Sequence, residues 1–272
     1  MKKIHFSFIS VFVFCYLSFG QVQKEVHTVQ VNGAEIYYEV YGEGEPLLLL
    51  HGWTQSSVFW KDYLTSYAQN FKVYVLDLRG HGRSSPLTQE FSLQKASMDI
   101  LMLLDHLNLR KVKAIGFSYG SLLLLQLAAL NPQRIETMIL IGCAQQYDGA
   151  DNTSLADDFS YDNLPESFKQ ELKKIHFHGE SQIKALFNKD LNYRIMLEDE
   201  KIKERKANTI IVHGDRDEII GLDKAVDLYQ NLANAELWIV PNTGHLVLTA
   251  GNKKSFMTKS LQFLYKKKTK KP

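Results

Sequence analysis

The sequence predicts an α/β domain whose mostly parallel sheet is covered by helices on both faces, and two observations support this. Short apolar segments have the length and continuity of strands that are buried on both faces of a sheet. They lie at 47–50, 71–76, 112–117, 138–141, 209–212 and 237–240. The chain between them places apolar residues at three-to-four spacing, as in Met98, Leu101 and Leu104, which is typical of helices. Strands that alternate with helices form parallel sheets, and ligands bind at the carboxyl ends of those strands.

A β-hairpin is predicted ahead of the parallel strands. Residues 29–31 and 36–40 are mostly apolar or aromatic, and they flank the dipeptide Asn32-Gly33. Asn-Gly is the preferred two-residue hairpin turn because both of its positions adopt positive φ. The two segments are therefore expected to pair in antiparallel fashion.

One segment, residues 145–206, breaks the alternation of strands and helices. It is polar, lacks a clear buried strand and carries helix-like pieces at 165–174, 180–188 and 196–206. Because it lies between two predicted strands of the sheet, it predicts a small helical cap over the site. A surface excursion without a gating role is the alternative.

The first twenty residues have the composition of a signal peptide. Basic residues at 2 and 3 precede an apolar stretch at 6–19, and small residues occupy positions 18 and 20. Cleavage before Gln21 would leave residues 21–272 as the mature domain, exported to the periplasm or secreted. An uncleaved membrane anchor is the alternative, although the stretch is shorter than the roughly 20 apolar residues that a span needs.

Composition limits the classes of partner. Removing Lys2 and Lys3 from the 32 basic residues leaves 30, against 30 acidic residues. This balance indicates neither nucleic acid nor a charged membrane, so we expect a small-molecule partner and no stable membrane insertion after signal cleavage. With 272 residues the chain can bury one large core, and no second domain need be invoked. The mature chain keeps only Cys143, which excludes an intrachain disulfide, and its place after an apolar run predicts burial.

The segment Gly116-Phe117-Ser118-Tyr119-Gly120 joins a predicted strand to a helix predicted over 121–130. G-x-S-x-G between a strand and a helix is the pattern of a nucleophile elbow, in which the serine has a strained backbone. Glycines are needed beside it because the neighbouring backbones come very close. Ser118 is therefore the predicted nucleophile, with its hydroxyl projecting from the edge of the sheet.

A serine hydroxyl needs a base within hydrogen-bond reach, and the base needs a third group to fix its tautomer. His245 follows the last predicted strand through a Pro/Asn/Gly turn, so it lies at the correct edge and is the predicted base. Three acids compete for the third role. Asp215 and Asp217 follow the strand at 209–212, and Asp148 lies beyond the strand at 138–141.

Backbone amides are needed to bind the negative oxygen of a tetrahedral intermediate. One predicted donor is the N–H of Tyr119, which follows the nucleophile, and the other is the N–H of Trp53 in the loop after the strand at 47–50. Gly52 would let that loop approach closely. The indole of Trp53 would then line the substrate pocket and make it partly apolar.

The remaining histidines have structural interpretations. His51 and His81 adjoin glycines and are expected to position loops, while His213 ends a strand. His176 and His178 could together suggest a metal site, but no third ligand of suitable spacing accompanies them, and we expect no metal. His27 and His106 are expected on the surface or on a helix face.

Taken together, these motifs resemble the α/β-hydrolase family. The matching segments, in family order, are L-H-G-W at 50–53, D-L-R-G-H-G-R-S at 77–84, G-F-S-Y-G at 116–120, G-D-R-D at 214–217 and G-H at 244–245. The resemblance implies an eight-stranded sheet with one antiparallel strand, a helical cap after the sixth strand, and no cofactor. It also implies that Asp217 is the acid of the triad, that Asp215 shapes the turn, and that residues 77–84 form a structural loop.

Two departures from the family pattern are informative, and only the first bears on the chemistry. Members that open epoxides or cleave carbon–halogen bonds use an aspartate at the elbow, so Ser118 argues against both activities. Ser121 stands where a second glycine is frequent.

The sequence therefore predicts a serine hydrolase of the α/β-hydrolase fold, with a triad of Ser118, Asp217 and His245. A carboxylesterase acting on small or medium acyl esters is the main hypothesis. Carbon–carbon bond hydrolase, lactonase, perhydrolase and proline-iminopeptidase-like activities are the enzymatic alternatives. A ligand-binding protein on the same fold is the non-enzymatic alternative, since a fold does not fix a function.

Overall fold

The computed structural model describes residues 23–148, 160–188, 191, 193–198, 202 and 207–266. The predicted signal peptide at 1–20 and the lysine-rich end at 267–271 lie outside this range. In the part of the chain that is described, no helix is both long and apolar enough to cross a membrane.

The described residues form ten strands, of which eight make one sheet. The strands are β1 (Lys24–Val31), β2 (Ala34–Tyr41), β3 (Glu45–Leu50), β4 (Phe71–Leu76), β5 (Val112–Phe117), β6 (Ile135–Ile141), β7 (Gln146–Asp148), β8 (Arg194–Met196), β9 (Asn208–Gly214) and β10 (Ala235–Val240). The sheet has the order β1-β2-β4-β3-β5-β6-β9-β10. Only β2 runs against its neighbours, because its pairings with β1 and β4 are antiparallel and the others are parallel. The predicted α/β fold and its single antiparallel strand are confirmed.

The hairpin between β1 and β2 turns where the sequence predicted. Asn32 has φ +49° and Gly33 has φ +72°, and Val31 pairs with Ala34 across the turn. Every apolar segment predicted as a strand lies within a strand of the sheet. Most of the observed strands are longer than the predicted segments, because they continue into polar residues at their ends.

Helices cover both faces of the sheet. They are α1 (Lys61–Ala68), α2 (Leu93–His106), α3 (Tyr119–Leu130), α4 (Glu166–Ile175), α5 (Gly179–Ala185), α6 (Leu222–Asn231) and α7 (Lys253–Tyr265). Alternate residues of β3 enter two separate cores, Leu48 with α2 and α3, and Leu47 with α1 and α7. This alternation is the period-two geometry of a strand, and it explains why the strand is apolar throughout.

The described part of the cap lies between β6 and β9. The helices α4 and α5 share a small core of their own, which includes Leu172 and Ile183. The segment also contains the short antiparallel pair β7–β8, which was not predicted and in which Ile195 is buried. Ile195 is buried between two exposed residues, a pattern too short to stand out in the sequence. The helix predicted over 196–206 was wrong at Met196, which belongs to β8; residues 199–201 and 203–206 lie outside the described residues.

Candidate active site

The predicted nucleophile lies on a sharp turn between β5 and α3. Ser118 has φ +49° and ψ −115°, a conformation that L-residues rarely adopt. Side chains are excluded on both sides of it: a Cβ on Gly116 would lie 2.5 Å from the backbone carbon of Gly120, and one on Gly120 would lie 2.5 Å from the carbonyl oxygen of Leu50. The two glycines therefore allow β3, β5 and α3 to meet at this point.

Ser121, which departs from the family pattern, stabilises the same turn. Its Oγ lies 2.6 Å from the carbonyl oxygen of Gly116 and 3.0 Å from that of Ile141. The same Oγ accepts a hydrogen bond from the N–H of Ile141 at 2.9 Å. Since Ser121 is fully buried, these bonds connect the elbow to the end of β6 without competition from water.

The predicted base and acid form a hydrogen-bonded pair. His245 Nδ1 lies 2.8 Å from Asp217 Oδ2, and Asp217 Oδ1 accepts from the amides of Ile219 at 2.9 Å and Ile220 at 2.8 Å. Burial acts to raise the pKa of Asp217, but these hydrogen bonds and the nearby imidazole outweigh it and hold the pKa below its ordinary value. Asp217 is therefore a carboxylate that can accept the Nδ1 proton of His245, which leaves Nε2 as the basic nitrogen.

The imidazole of His245 lies against residues that flank the elbow. Its ring centroid is 5.3 Å from that of Phe117, the residue before Ser118. Gly142, directly after β6, has φ +58°, and a Cβ there would lie 2.9 Å from His245 Cε1. Among the described residues, no hydrogen bond joins Ser118 Oγ to His245. Gly142 was not among the predicted site residues, although a glycine at the carboxyl end of a predicted strand is a usable signal of a close approach.

The competing acids lie elsewhere. Asp215 Oδ1 accepts a hydrogen bond from the N–H of Thr243 at 3.1 Å and so connects the turns after β9 and β10. Asp148 is the last residue of β7, where its backbone is opposite that of Arg194 in β8. A second histidine was missed as a neighbour of the acid: His213 Nε2 lies 3.4 Å from Asp217 Oδ2 and 2.9 Å from the carbonyl oxygen of Ile220.

The two predicted oxyanion donors lie on neighbouring segments. Tyr119 is the first residue of α3, so its N–H has no acceptor within the helix. The adjacent Gly120 N–H donates to the carbonyl oxygen of His51 at 3.0 Å, which holds the loop of Trp53 against the elbow. Across the described residues, neither the Trp53 nor the Tyr119 N–H has a hydrogen-bond acceptor in the protein.

The indole of Trp53 connects the core to the cap. Its Nε1–H donates to the carbonyl oxygen of Leu186 at 2.9 Å. The centroid of its ring lies 5.0 Å from the ring centroid of Tyr119 and 4.7 Å from that of Tyr193. That the indole also lines a substrate pocket stays a prediction.

Three further predictions concern Cys143, the loop at residues 77–84 and His176. Cys143 is buried, as predicted. Asp77 accepts hydrogen bonds from the amides of Ser57 at 2.6 Å and Arg83 at 2.9 Å, which fits the structural role implied for residues 77–84. In the described ranges, no three His, Cys, Asp or Glu side chains are arranged so that they could hold a metal ion, and both ring nitrogens of His176 bond backbone groups.

Comparison with known proteins identifies the family. A sequence model of the alpha/beta hydrolase fold matches residues 45–193. A soluble epoxide hydrolase from Corynebacterium sp. (strain C12) is 30% identical over 168 residues, which cover 61% of this chain but only 55% of that protein. A non-heme chloroperoxidase from Kitasatospora aureofaciens is 24% identical over 86% of this chain and 98% of its own length.

Solved structures support the same fold. A meta-cleavage product hydrolase from Pseudomonas fluorescens IP01 superposes with a TM-score of 0.72 at 20% identity, covering 88% of this chain and 97% of that one. At such identity the likeness concerns the fold alone. Because the family model spans more than half of the sequence and the sheet has the matching topology, the chain belongs to the alpha/beta hydrolase fold family.

Proposed function

We propose that this protein is a serine carboxylesterase that hydrolyses small or medium acyl esters. The observation that carries the proposal is the pairing of His245 with an ionised Asp217 at 2.8 Å, beside a serine that a glycine-flanked turn holds at φ +49°. Ser118 also argues against epoxide opening, because family members that open epoxides have an aspartate at this position. The match to the epoxide hydrolase is therefore taken as a likeness of fold, and it covers only 55% of that protein.

The proposed reaction uses the protein's own residues alone. Ser118 Oγ attacks the ester carbonyl carbon while His245 Nε2 accepts its proton, and Asp217 stabilises the imidazolium. The amides of Trp53 and Tyr119 donate hydrogen bonds to the oxyanion, a contribution of about 3 kcal/mol for each donor. Collapse of the intermediate releases the alcohol, which takes the proton from His245. Water, activated by the same base, then hydrolyses the acyl-enzyme.

Perhydrolysis is the second candidate, favoured by the chloroperoxidase that this chain matches over 98% of that protein's length. In this reaction hydrogen peroxide replaces water in the second step, and His245 removes the peroxide proton. The acyl-enzyme then yields a peracid and free Ser118. Both candidates share the acylation step, so one acyl donor can test them together.

The test is hydrolysis of p-nitrophenyl esters of increasing chain length by residues 21–272, beside the variants Ser118→Ala and Ser255→Ala. Ser255 is an exposed serine in α7 and serves as the matched control. We expect turnover in the parent and in Ser255→Ala, and a loss of at least about 10⁴-fold in Ser118→Ala. A folded parent that hydrolyses no ester would contradict the proposal. Adding hydrogen peroxide and measuring peracid decides the second candidate.

A further inference from the structure

The loop that carries Trp53 is held by three buried histidine rings, His51, His81 and His176, which we call the histidine clamp. Each ring bonds one of three consecutive peptide groups. His51 Nδ1–H donates to the carbonyl oxygen of Gly52 at 2.7 Å, and His81 Nε2 accepts from the N–H of Thr54 at 3.2 Å. His176 Nε2–H donates to the carbonyl oxygen of Thr54 at 3.1 Å. The three peptide groups from Gly52 to Gln55 are thereby each fixed by a side chain.

The second nitrogen of every clamp ring bonds the loop after β4. The N–H of Leu78 donates to His51 Nε2 at 3.0 Å, and that of Gly82 donates to His176 Nδ1 at 2.9 Å. His81 Nδ1–H donates to the carbonyl oxygen of Arg79 at 2.9 Å. Each ring therefore donates from one nitrogen and accepts at the other, which requires the neutral form of all three.

Thr54 needs this support. It is β-branched and has φ +61°, in the left-handed region that such residues avoid. A backbone of this kind persists only where its surroundings hold it. Two of the three clamp bonds to the loop are made to Thr54 itself, by His81 from the core and by His176 from the cap. The peptide group between Thr54 and Gln55 also bonds the one that carries the Trp53 N–H, because the N–H of Gln55 donates to the carbonyl oxygen of Gly52 at 3.2 Å. Relaxation of Thr54 would therefore also move the Trp53 N–H.

His176 is the one clamp residue that the cap supplies, since it directly follows α4 and its side chain is buried. Phe177 continues the attachment, because its N–H donates to the carbonyl oxygen of Gly82 at 3.0 Å. We propose that His176 is a positioning residue: through the carbonyl of Thr54 it fixes the loop that presents the Trp53 N–H to the oxyanion. The inference rests on the proposed function of that N–H.

Two isosteric variants separate the two bonds of His176. The side-chain amide of asparagine stands near the position of Nδ1, and that of glutamine reaches the position of Nε2. His176→Gln therefore keeps the donor to Thr54, whereas His176→Asn keeps only the acceptor for Gly82. We expect kcat of His176→Gln within about threefold of the parent, and a loss of about 10- to 100-fold in His176→Asn with KM little changed, since small misplacements of catalytic groups cost rates of that size.

His178→Asn is the matched control. His178 is exposed, lies in the same cap segment and bonds the carbonyl oxygen of Arg83 at 3.1 Å, so it also connects the cap to the loop after β4 but does not contact Thr54. We expect its kcat to be unchanged. If the Asn and Gln variants of His176 lose activity equally, or only in proportion to their melting temperatures, His176 merely packs the cap and the inference is wrong.

Amide hydrogen exchange gives a readout that does not need turnover. A peptide covering residues 52–56 should exchange faster in His176→Asn than in the parent, His176→Gln or His178→Asn. Equal exchange in all four proteins would overturn the positioning role even if esters are hydrolysed. If exchange is faster in His176→Asn alone but the parent hydrolyses no ester, the positioning role of His176 is supported and the proposed function is contradicted.

Discussion

The elbow and the loop of Trp53 both contain a strained residue, yet different parts of the chain hold them. Ser118, at φ +49°, is fixed by glycines two residues away on either side and by Ser121 three residues later. Thr54, at φ +61°, is fixed by ring nitrogens of His81 and His176, which lie 27 and 122 residues away. The first site is held by steric exclusion within one motif, and the second by hydrogen bonds from distant segments. The elbow should therefore be insensitive to pH, whereas the loop should not.

Gly120→Ala should have the largest effect, because it removes the steric fit of the elbow. The added Cβ would lie 2.5 Å from the carbonyl oxygen of Leu50 and 2.7 Å from its carbonyl carbon, and this backbone belongs to the buried end of β3. We expect loss of activity and a decrease in the free energy of unfolding of about 3 kcal/mol or more, as for severe overpacking. Urea unfolding and ester hydrolysis measure the two effects. Gly33→Ala is the control: its Cβ meets nothing within 4 Å, so it carries only the strain of an alanine at φ +72° and should cost less, about 1 kcal/mol.

Acidification should have the second-largest effect, because it weakens the histidine clamp. Burial lowers the pKa of His51 to about 3, and it lowers the pKa of His81 and of His176 as well. Above the unfolded value of about 6.5 both states are neutral and the rings contribute no pH dependence. Below it the unfolded chain binds protons that the folded chain does not, so stability falls as pH falls, by up to about 1.4 kcal/mol per pH unit for each ring.

Urea unfolding at pH 7 and pH 5 checks this expectation. The free energy of unfolding should differ less between the two pH values in His176→Gln, by the contribution of one histidine, because glutamine does not titrate. An undiminished difference in that variant would show that His176 is not one of the groups that bind protons on unfolding.

Ser121→Gly should have a smaller effect and tests the bond between the elbow and β6. Glycine is the residue frequent at this position in the family, but it would leave the N–H of Ile141 and the carbonyl of Gly116 without the Ser121 hydroxyl. We expect a loss of about 1–3 kcal/mol in the free energy of unfolding, since buried polar groups would lose their partner. Thermal and urea unfolding measure it, and an unchanged stability would contradict the role assigned to Ser121.

Ser118→Gly should have the smallest effect on stability and the opposite sign. Glycine adopts positive φ at little cost, so the variant should be more stable than the parent by about 1 kcal/mol while losing activity. A variant of unchanged or lower stability would show that the elbow stores no strain at Ser118. The comparison of melting temperatures with Ser118→Ala separates relief of backbone strain from loss of the hydroxyl.

Much of the fold was predictable because the sheet strands are continuous apolar segments and the elbow is one short motif. Asp217 and His245 were identified from their order and from the family resemblance, and the structure pairs them. Ser121 was noted only as a departure, because nothing local indicates that its hydroxyl reaches the end of β6. His176 was considered as a metal ligand only because His178 lies near it in the sequence. Its two backbone partners could not be predicted, because they lie 94 and 122 residues away. The strands β7 and β8, with three residues each, are too short to give a periodic signal.

The attachment of His176 bears on how this chain could be engineered. Caps of hydrolases are attractive segments to exchange between enzymes when a new specificity is sought. Here a graft that replaced the cap would also delete a hydrogen-bond donor to the strained Thr54. A chimaera would therefore need a donor of the same reach at that position, and a graft without one should lose turnover even when it binds its substrate well.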